Sequence, residues 1–342
     1  MHEARVLVVD DSAAMRALFS DILDQAKNVR VVGTAVNAAD AREQIAELKP
    51  NVITLDVEMP GMSGIEFLEE IMETNPMPVV MLSSLTQAGT ETSLRAFELG
   101  AVECFPKPLK ATPEQFNKSV GKLGKIVLAA ANSNVRDRKP RVEQKASDVS
   151  FQWNGHVAAL SASMGGIDAV NTILGSFPSN CPPTIVCLQA EPMLVEMFIK
   201  RLDTDLKCSV RVAKDGANLT QGTIHIAADP LCHAVVEAGN PPRIRIMARD
   251  PVDGARPSAN LLFGSIARAA IPAVGAVLTG MGSDGAKGLK LLKDSGAITF
   301  VQDRKTALVN EAPEAVIALD AASREVPVGE LGAAILGGCG MG

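Results

Sequence analysis

Five polar residues in the first third of the chain fall where short apolar runs end. Asp10 and Asp11 follow RVLVV, Asp56 follows VITL, Ser83 follows VVML and Lys107 follows CFP. If those runs are parallel strands, the five meet at one edge of a sheet, where open α/β folds gather their ligands. Three carboxylates in one crevice repel each other unless a cation joins them, and an all-oxygen site suits Mg²⁺. A carboxylate beside a divalent ion and a lysine can attack a phosphoryl group, because the charge growing on the phosphoryl oxygens is neutralised. One aspartate at a strand end reads as an ordinary helix cap, whereas five matched positions on four strand ends do not. A cis peptide between Lys107 and Pro108 would aim the lysine inward.

A second set lies beyond residue 150. The run Val157 to Ser161 leads through Ala162 into Ser163, Met164, Gly165 and Gly166, where a helix is predicted. A serine at a strand-to-helix turn followed by two glycines exposes its hydroxyl among convergent N–H groups, the geometry of a nucleophile with an oxyanion hole. The same residues also suit a glycine-rich turn that only lets a helix pack closely, and the turn alone leaves both readings open. Farther on, VLTGMGSD ends a strand and presents Asp284, and RPSAN at Arg256 to Asn260 opens another helix.

The elements that must position these groups alternate. The pattern predicts strands at Arg5 to Val9, Val29 to Ala35, Val52 to Leu55, Val79 to Leu82 and Cys104 to Phe105. Helices are expected at Ser12 to Gln25, Ala38 to Leu48, Gly64 to Thr74, Glu91 to Leu99 and Pro113 to Ala131. Asn132 to Ser150 loses apolar periodicity, and its Arg136 to Lys145 stretch holds five basic residues against two acidic ones, so it reads as a basic linker. After it, strands are predicted at Val157 to Ser161, Thr184 to Leu188, Ser209 to Ala213, Thr223 to Ala227, Ala273 to Thr279 and Ile298 to Val301. Helices fall at Gly166 to Leu174, Leu194 to Leu202, Ala259 to Ala270, Gly285 to Lys293 and Ala312 to Ala318, with a hairpin around Val210 to Ile246. The expected organisation is a domain over 1–131, a linker over 132–150, a second domain over 151–336 and a frayed glycine-rich tail over 337–342.

With 342 residues, 47% apolar and 21% charged, the chain has material for two cores and is not disordered as a whole. A net charge of −6 and only 3% aromatic residues, with one Trp and no Tyr, leave almost nothing for a nucleic-acid surface built on stacking. The six cysteines show neither a CxxC pair nor a zinc-ligand spacing. No run reaches the ~18 apolar residues of a membrane span, so no membrane insertion and a cytoplasmic location are expected.

The first domain resembles the receiver domains of two-component response regulators, through the DD pair, LDVEMPGMSG, the hydroxyl residue of MLSS and FPKP. The resemblance implies a flavodoxin-like fold in which Asp56 accepts phosphate from a sensor histidine kinase of the chemotaxis type. It implies that Asp11, Asp56 and the Glu58 main-chain carbonyl hold Mg²⁺ next to Asp10. Ser83 and Lys107 would bind the phosphate, and Phe105 would be the aromatic that changes rotamer on activation.

The second domain resembles the effector domain of the chemotaxis protein-glutamate methylesterases, through SASMGG, VLTGMGSD and RPSAN, with GxxHIAA at Gly222 to Ala228 and VQD at Val301 to Asp303. This implies a Rossmann-like doubly wound α/β domain that hydrolyses γ-glutamyl methyl esters, and deamidates certain glutamines, on methyl-accepting chemoreceptors. Ser163 would be the nucleophile, Asp284 the acid that orients the base, and backbone N–H groups near Met164 and Met281 the oxyanion hole. The family's base is a histidine in a QHMPPxF pattern, and here the segment reads Gln189, Ala190, Glu191, Pro192, Met193, with Ala190 at the histidine position. Other departures accompany it: Met164 replaces a usual threonine, and Asn310 to Pro313 reads NEAP where FGMP is usual. Without a base the serine hydroxyl is a weak nucleophile, and loss of the histidine of a serine protease costs on the order of 10⁶ in kcat. Of the four histidines, His156 lies seven residues before Ser163, roughly 20 Å along a strand, while His225 and His233 fall in the hairpin region. Two expectations follow: a phosphorylation-activated methylesterase, or a catalytically impaired binding module or phosphate sink gated by an intact receiver.

Overall fold

The apolar runs of the N-terminal third form strands whose residues are buried on both faces, as a parallel sheet covered by helices requires. The structure, a computed structural model, describes residues 2–83, 87–107, 113–135 and 151–341, without side chains at 87–90 and 113–120. The chain divides into two units, Met1–Arg138 and Lys139–Gly342.

In the first unit, strands β1 (Ala4–Val9), β2 (Val29–Ala35), β3 (Val52–Asp56), β4 (Val79–Ser83) and β5 (Glu103–Pro106) alternate with five helices. These are α1 (Ala13–Asp24), α2 (Ala38–Leu48), α3 (Gly64–Thr74), α4 (Gln87–Leu99) and α5 (Pro113–Ala131). The sheet order is β2-β1-β3-β4-β5 with every pairing parallel, the flavodoxin-like arrangement expected. Local chemistry starts the helices. The Ser12 side chain accepts from Met15 N ahead of α1, and Ser63 and Glu66 close a reciprocal capping box at α3. Helix α4 begins four residues before its predicted start, because the polar first turn QAGT carries no apolar period.

In the second unit, β6 (Val157–Ala162), β7 (Thr184–Leu188), β8 (Ser209–Val212), β9 (Thr223–Ala227), β12 (Ala273–Val277), β13 (Ile298–Gln302) and β14 (Arg324–Val326) form one sheet. Its order is β14-β13-β12-β6-β7-β9-β8, again wholly parallel, so the second expected doubly wound domain is present. Helices α6 (Gly166–Leu174), α7 (Pro192–Asp205), α8 (Ala259–Arg268), α9 (Ala286–Asp294), α10 (Glu311–Ala318) and α11 (Val328–Cys339) cover it. Strands β6 and β12 are neighbours at the centre of the sheet, and the turns after them carry Ser163 and Asp284.

Two expectations need correction. The hairpin is confined to β10 (His233–Glu237) and β11 (Arg243–Met247), which pair antiparallel, whereas β8 and β9 run parallel within the main sheet. The glycine-rich end is not frayed. Helix α11 runs to Cys339, which is fully buried, Asn154 Nδ2 donates to the carbonyls of Gly338 and Gly340, and Met341 N donates to Gln152 O. Gly338 approaches Val274 so closely that a Cβ there would clash, so this glycine serves packing rather than looseness. Most of the expected linker, and the peptide between Lys107 and Pro108, lie outside the described residues.

Candidate functional site

Strands β1, β3, β4 and β5 deliver Asp10, Asp56, Ser83 and Lys107 to one edge of the first sheet. Asp10 and Asp56 are buried and Asp11 is exposed, yet an oxygen of each lies within 4.8 Å of the others. The Lys107 ammonium stands 2.7 Å from Asp56 Oδ2 and 3.0 Å from Asp10 Oδ2. Backbone donors hold the carboxylates from the other side: Ser12 N donates to Asp10 Oδ1 at 2.9 Å and Glu58 N to Asp56 Oδ1 at 3.2 Å. Gly64 has to be glycine, because a Cβ there would run into the Asp56 carbonyl.

Burial raises the Asp56 carboxyl above its ordinary value, Lys107 opposes that shift, and Asp10 adds to it. Burial acts to lower the Lys107 ammonium, but the bonds to Asp56 and Asp10 outweigh it and the net shift is upward. Three carboxylates facing one ammonium leave negative charge uncompensated, even with Lys107 bridging Asp10 and Asp56. A hard divalent cation fits this donor set. Phe105 is buried on β5, and Ser83 is buried with its Oγ facing Ser93 Oγ of α4 at 3.2 Å.

In the second unit, Ser163 follows β6 in a turn that Gly165 completes at φ +75°, where a Cβ would also strike Leu308. Thr279 braces this turn, accepting Ser163 N at its carbonyl and donating its hydroxyl to Met164 O at 3.0 Å. After β12, Gly280 comes so near Ser163 that an added Cβ would meet its Oγ. This approach lets Met281 N donate to Ser163 Oγ at 2.9 Å. The Met164 side chain is buried.

Asp284 is held by four donors. Ser258 Oγ and Asn260 N reach Oδ1 at 2.8 and 3.1 Å, and Ala259 N and Gln189 Nε2 reach Oδ2 at 2.7 and 3.0 Å. The carboxylate therefore sits on the N-terminus of α8, where backbone N–H groups favour an anion. Ser163, Gln189, Met281 and Asp284 line one pocket. On β7, burial and the Asp284 charge push the Cys187 thiol well above its ordinary value.

Among the described residues, no histidine lines this pocket. The β6–β7 register, extended by Gln189 N donating to Ala162 O, sets Gln189 level with Ser163 and leaves Ala190 one residue farther along the turn after β7, with only a methyl group to offer. His156 precedes β6 at the opposite end of the strand from Ser163. His225 is a core residue of β9. His233 is fully buried: Nδ1 accepts from Ser258 N at 3.1 Å, and Nε2 lies 3.0 Å from Asp250 O. That places it one residue removed from the Asp284 cluster, as a support for Ser258.

Sequence reasoning did not single out Gln189 or Ser258 as Asp284 partners, nor Glu311, whose Oε2 accepts from Gly282 N at 2.7 Å and fixes the turn carrying Met281. Glu311 lies within NEAP, so that departure was its only trace.

A receiver-type acid pocket in one parallel-sheet unit, and a serine turn facing an aspartate in a second, define a two-domain response regulator with a hydrolase-type effector. Residues 6–118 match the response regulator receiver domain and 158–335 match the CheB methylesterase family. Over 339 residues the chain is 42% identical to protein-glutamate methylesterase/protein-glutamine glutaminase 1 of Caulobacter vibrioides, covering 98% of each. It is also 42% identical over 340 residues to the protein of that type from Agrobacterium fabrum, covering 97% of this chain and 96% of that one. The crystal structure of the Thermotoga maritima CheB methylesterase catalytic domain aligns with a TM-score of 0.51 at 25% identity, over 54% of this chain and 98% of that one. The chain belongs to the CheB family of chemotaxis response regulators, with a receiver domain and a methylesterase domain. Among the described residues no helix is long and apolar enough to cross a membrane.

Proposed function

We propose that this protein is a cytoplasmic, phosphorylation-controlled protein-glutamate methylesterase and protein-glutamine glutaminase acting on methyl-accepting chemoreceptors. Asp56 is the phosphoryl acceptor. Its carboxylate oxygen attacks the phosphorus of a phosphohistidine on a chemotaxis-type sensor kinase, the P–N bond breaks, and the imidazole leaves with the bonding electrons. Asp10, Asp11, Asp56 and the Glu58 carbonyl are the residues that would hold Mg²⁺, which supplies charge neutralisation at the phosphoryl oxygens. Lys107 and Ser83 grip those oxygens, and Phe105 reports the change to the outer face.

In the effector domain, Ser163 Oγ attacks the glutamyl ester carbonyl, the C–OCH₃ bond breaks, and the proton given up by the serine hydroxyl passes to the departing methoxide, which leaves as methanol. Water then releases the acyl group as a glutamate carboxylate. The observation that carries this reading is the Met281 N–H lying 2.9 Å from Ser163 Oγ, a donor placed where an oxyanion forms beside the nucleophile. Met164 N–H is the second donor, and Asp284 orients polar groups around the serine.

Ala190 favours a second reading, an effector domain that binds receptors but turns them over slowly, leaving the receiver as a phosphate sink or a gate on binding. Methanol release from methylated receptor, with and without a small phosphodonor, decides between them. Release that Ser163→Ala abolishes establishes the esterase. Absence of release from a chain that takes up phosphate on Asp56 establishes the binding module.

A further inference from the structure

We propose that Ser93 is a positioning residue that latches the Ser83 hydroxyl to α4 and holds the receiver in its resting state. The proposal rests on the reading of Asp56 as the phosphoryl acceptor. Ser83 and Ser93 are both buried, and Ser93 Oγ donates to Ser83 Oγ at 3.2 Å. A serine on the buried face of a helix is costly unless its hydroxyl is bonded, and Ala would fill the same space with better helix propensity. Ser93 thus has a polar task, and one partner its hydroxyl meets is the hydroxyl residue at the end of β4.

The acid pocket shows what this contact does. Asp56, Glu58 and Lys107 line it from the strand ends, and Glu91, Thr92 and Arg95 line it from α4. Among the described residues, Ser83 is absent from that lining and is turned to the helix instead. To grip a phosphoryl group on Asp56, its hydroxyl has to turn from α4 toward the pocket. Ser93 also joins α4 to the neighbouring strand, because the Cys104 thiol, next to Phe105, points at the Ser93 carbonyl at 3.7 Å. Releasing Ser83 therefore loosens the helix that touches both the pocket and the strand carrying the switch aromatic.

If the competent receiver is the one with Ser83 released, the phosphorylation rate scales with the released fraction. One buried neutral hydrogen bond sets that fraction, so its removal is worth about a 3- to 10-fold change. The test uses the full chain with acetyl phosphate and Mg²⁺, where the Asp56 carboxylate displaces acetate from phosphorus, and measures the initial rate of acid-labile phosphate incorporation. Ser93→Ala is expected to raise that rate about 3- to 10-fold, Ser93→Thr to stay near the unmodified chain, and Ser93→Ala to have no effect when Ser83→Ala is already present. An unchanged or lower rate in Ser93→Ala, or the same increase in the Ser83→Ala background, overturns the latch while leaving the receiver reading intact. No incorporation into the unmodified chain overturns both.

Discussion

The side-chain amide of Gln189 donates to Oδ2 of Asp284 at 3.0 Å and to the Pro257 carbonyl at 2.9 Å, clamping the end of β7 to the start of α8. With Ser258 Oγ and two backbone N–H groups on the same carboxylate, Asp284 is an architectural anion whether or not an imidazole stands beside it. Asp284→Ala is therefore expected to destabilise the effector domain by about 2–4 kcal/mol, since several charge-assisted hydrogen bonds lose their acceptor together. Asp284→Asn keeps part of the acceptor set and loses less. Urea unfolding followed by Trp153 fluorescence measures both, and a midpoint unmoved by Asp284→Ala would refute the clamp.

Ala190→His supplies an imidazole in the turn after β7, one residue beyond Gln189, which lines the pocket with Ser163. Methanol release is expected to rise about 10²-fold, part of the roughly 10⁶-fold that a missing base costs, because the Gln189 amide already occupies Asp284 Oδ2. The recovered rate should increase with pH through about 6.5, the range of an imidazole base, and vanish in Ser163→Ala. A variant whose release equals that of the unmodified chain would show that position 190 is not where a base acts.

Asp10, Asp56, Ser83 and Lys107 were legible in the sequence because each directly follows or ends an apolar run, so strand periodicity alone places them at one sheet edge. Ser163 and Asp284 were legible for the same reason, helped by the glycines that let their turns approach. Gln189, Ser258, Glu311 and Ser93 were not, because each acts through a partner at least ten residues away whose proximity depends on the packing of a helix. Helix α11 was missed because its glycines lower helix propensity, a penalty that burial of Leu331, Ile335 and Cys339 overrides. The helical start of α4 was hidden by polar residues, and the parallel pairing of β8 with β9 by the short segment between them.

The carboxylate cluster of the receiver predicts a metal effect that needs no phosphate. Mg²⁺ at a hundred times its dissociation constant is expected to stabilise the receiver by about 2.7 kcal/mol. The gain follows because the ion relieves repulsion among Asp10, Asp11 and Asp56, which Lys107 alone does not balance. Asp11→Asn keeps the fold, since Asp11 is exposed, and should remove most of that gain. Thermal unfolding with MgCl₂ against EDTA measures it; an equal shift in the Asp11→Asn chain would place the ion elsewhere.

His225 predicts an acid-sensitive core in the effector domain. It lies on β9 between Ile185 of β7 and Arg211 of β8, and it is 5% exposed. Burial pushes its imidazole below the ordinary value; the Asn218 backbone opposes this, the Arg211 charge adds to it and the Val212 backbone opposes it weakly, with the net shift downward. A base whose folded pKa is depressed binds fewer protons folded than unfolded. Stability contributed by the neutral ring is therefore complete above the unfolded value of about 6.5 and declines as pH falls below it, by up to about 1.4 kcal/mol per pH unit until the folded value is passed. His225→Gln cannot titrate, so whatever it costs in packing, it should remove this slope. Urea unfolding of both chains at pH 7.5 and 5.5 isolates the difference between their slopes, to which other titrating groups contribute equally. Parallel slopes would mean that the ring is protonated as readily inside the sheet as in the unfolded chain, contrary to its burial beside Arg211.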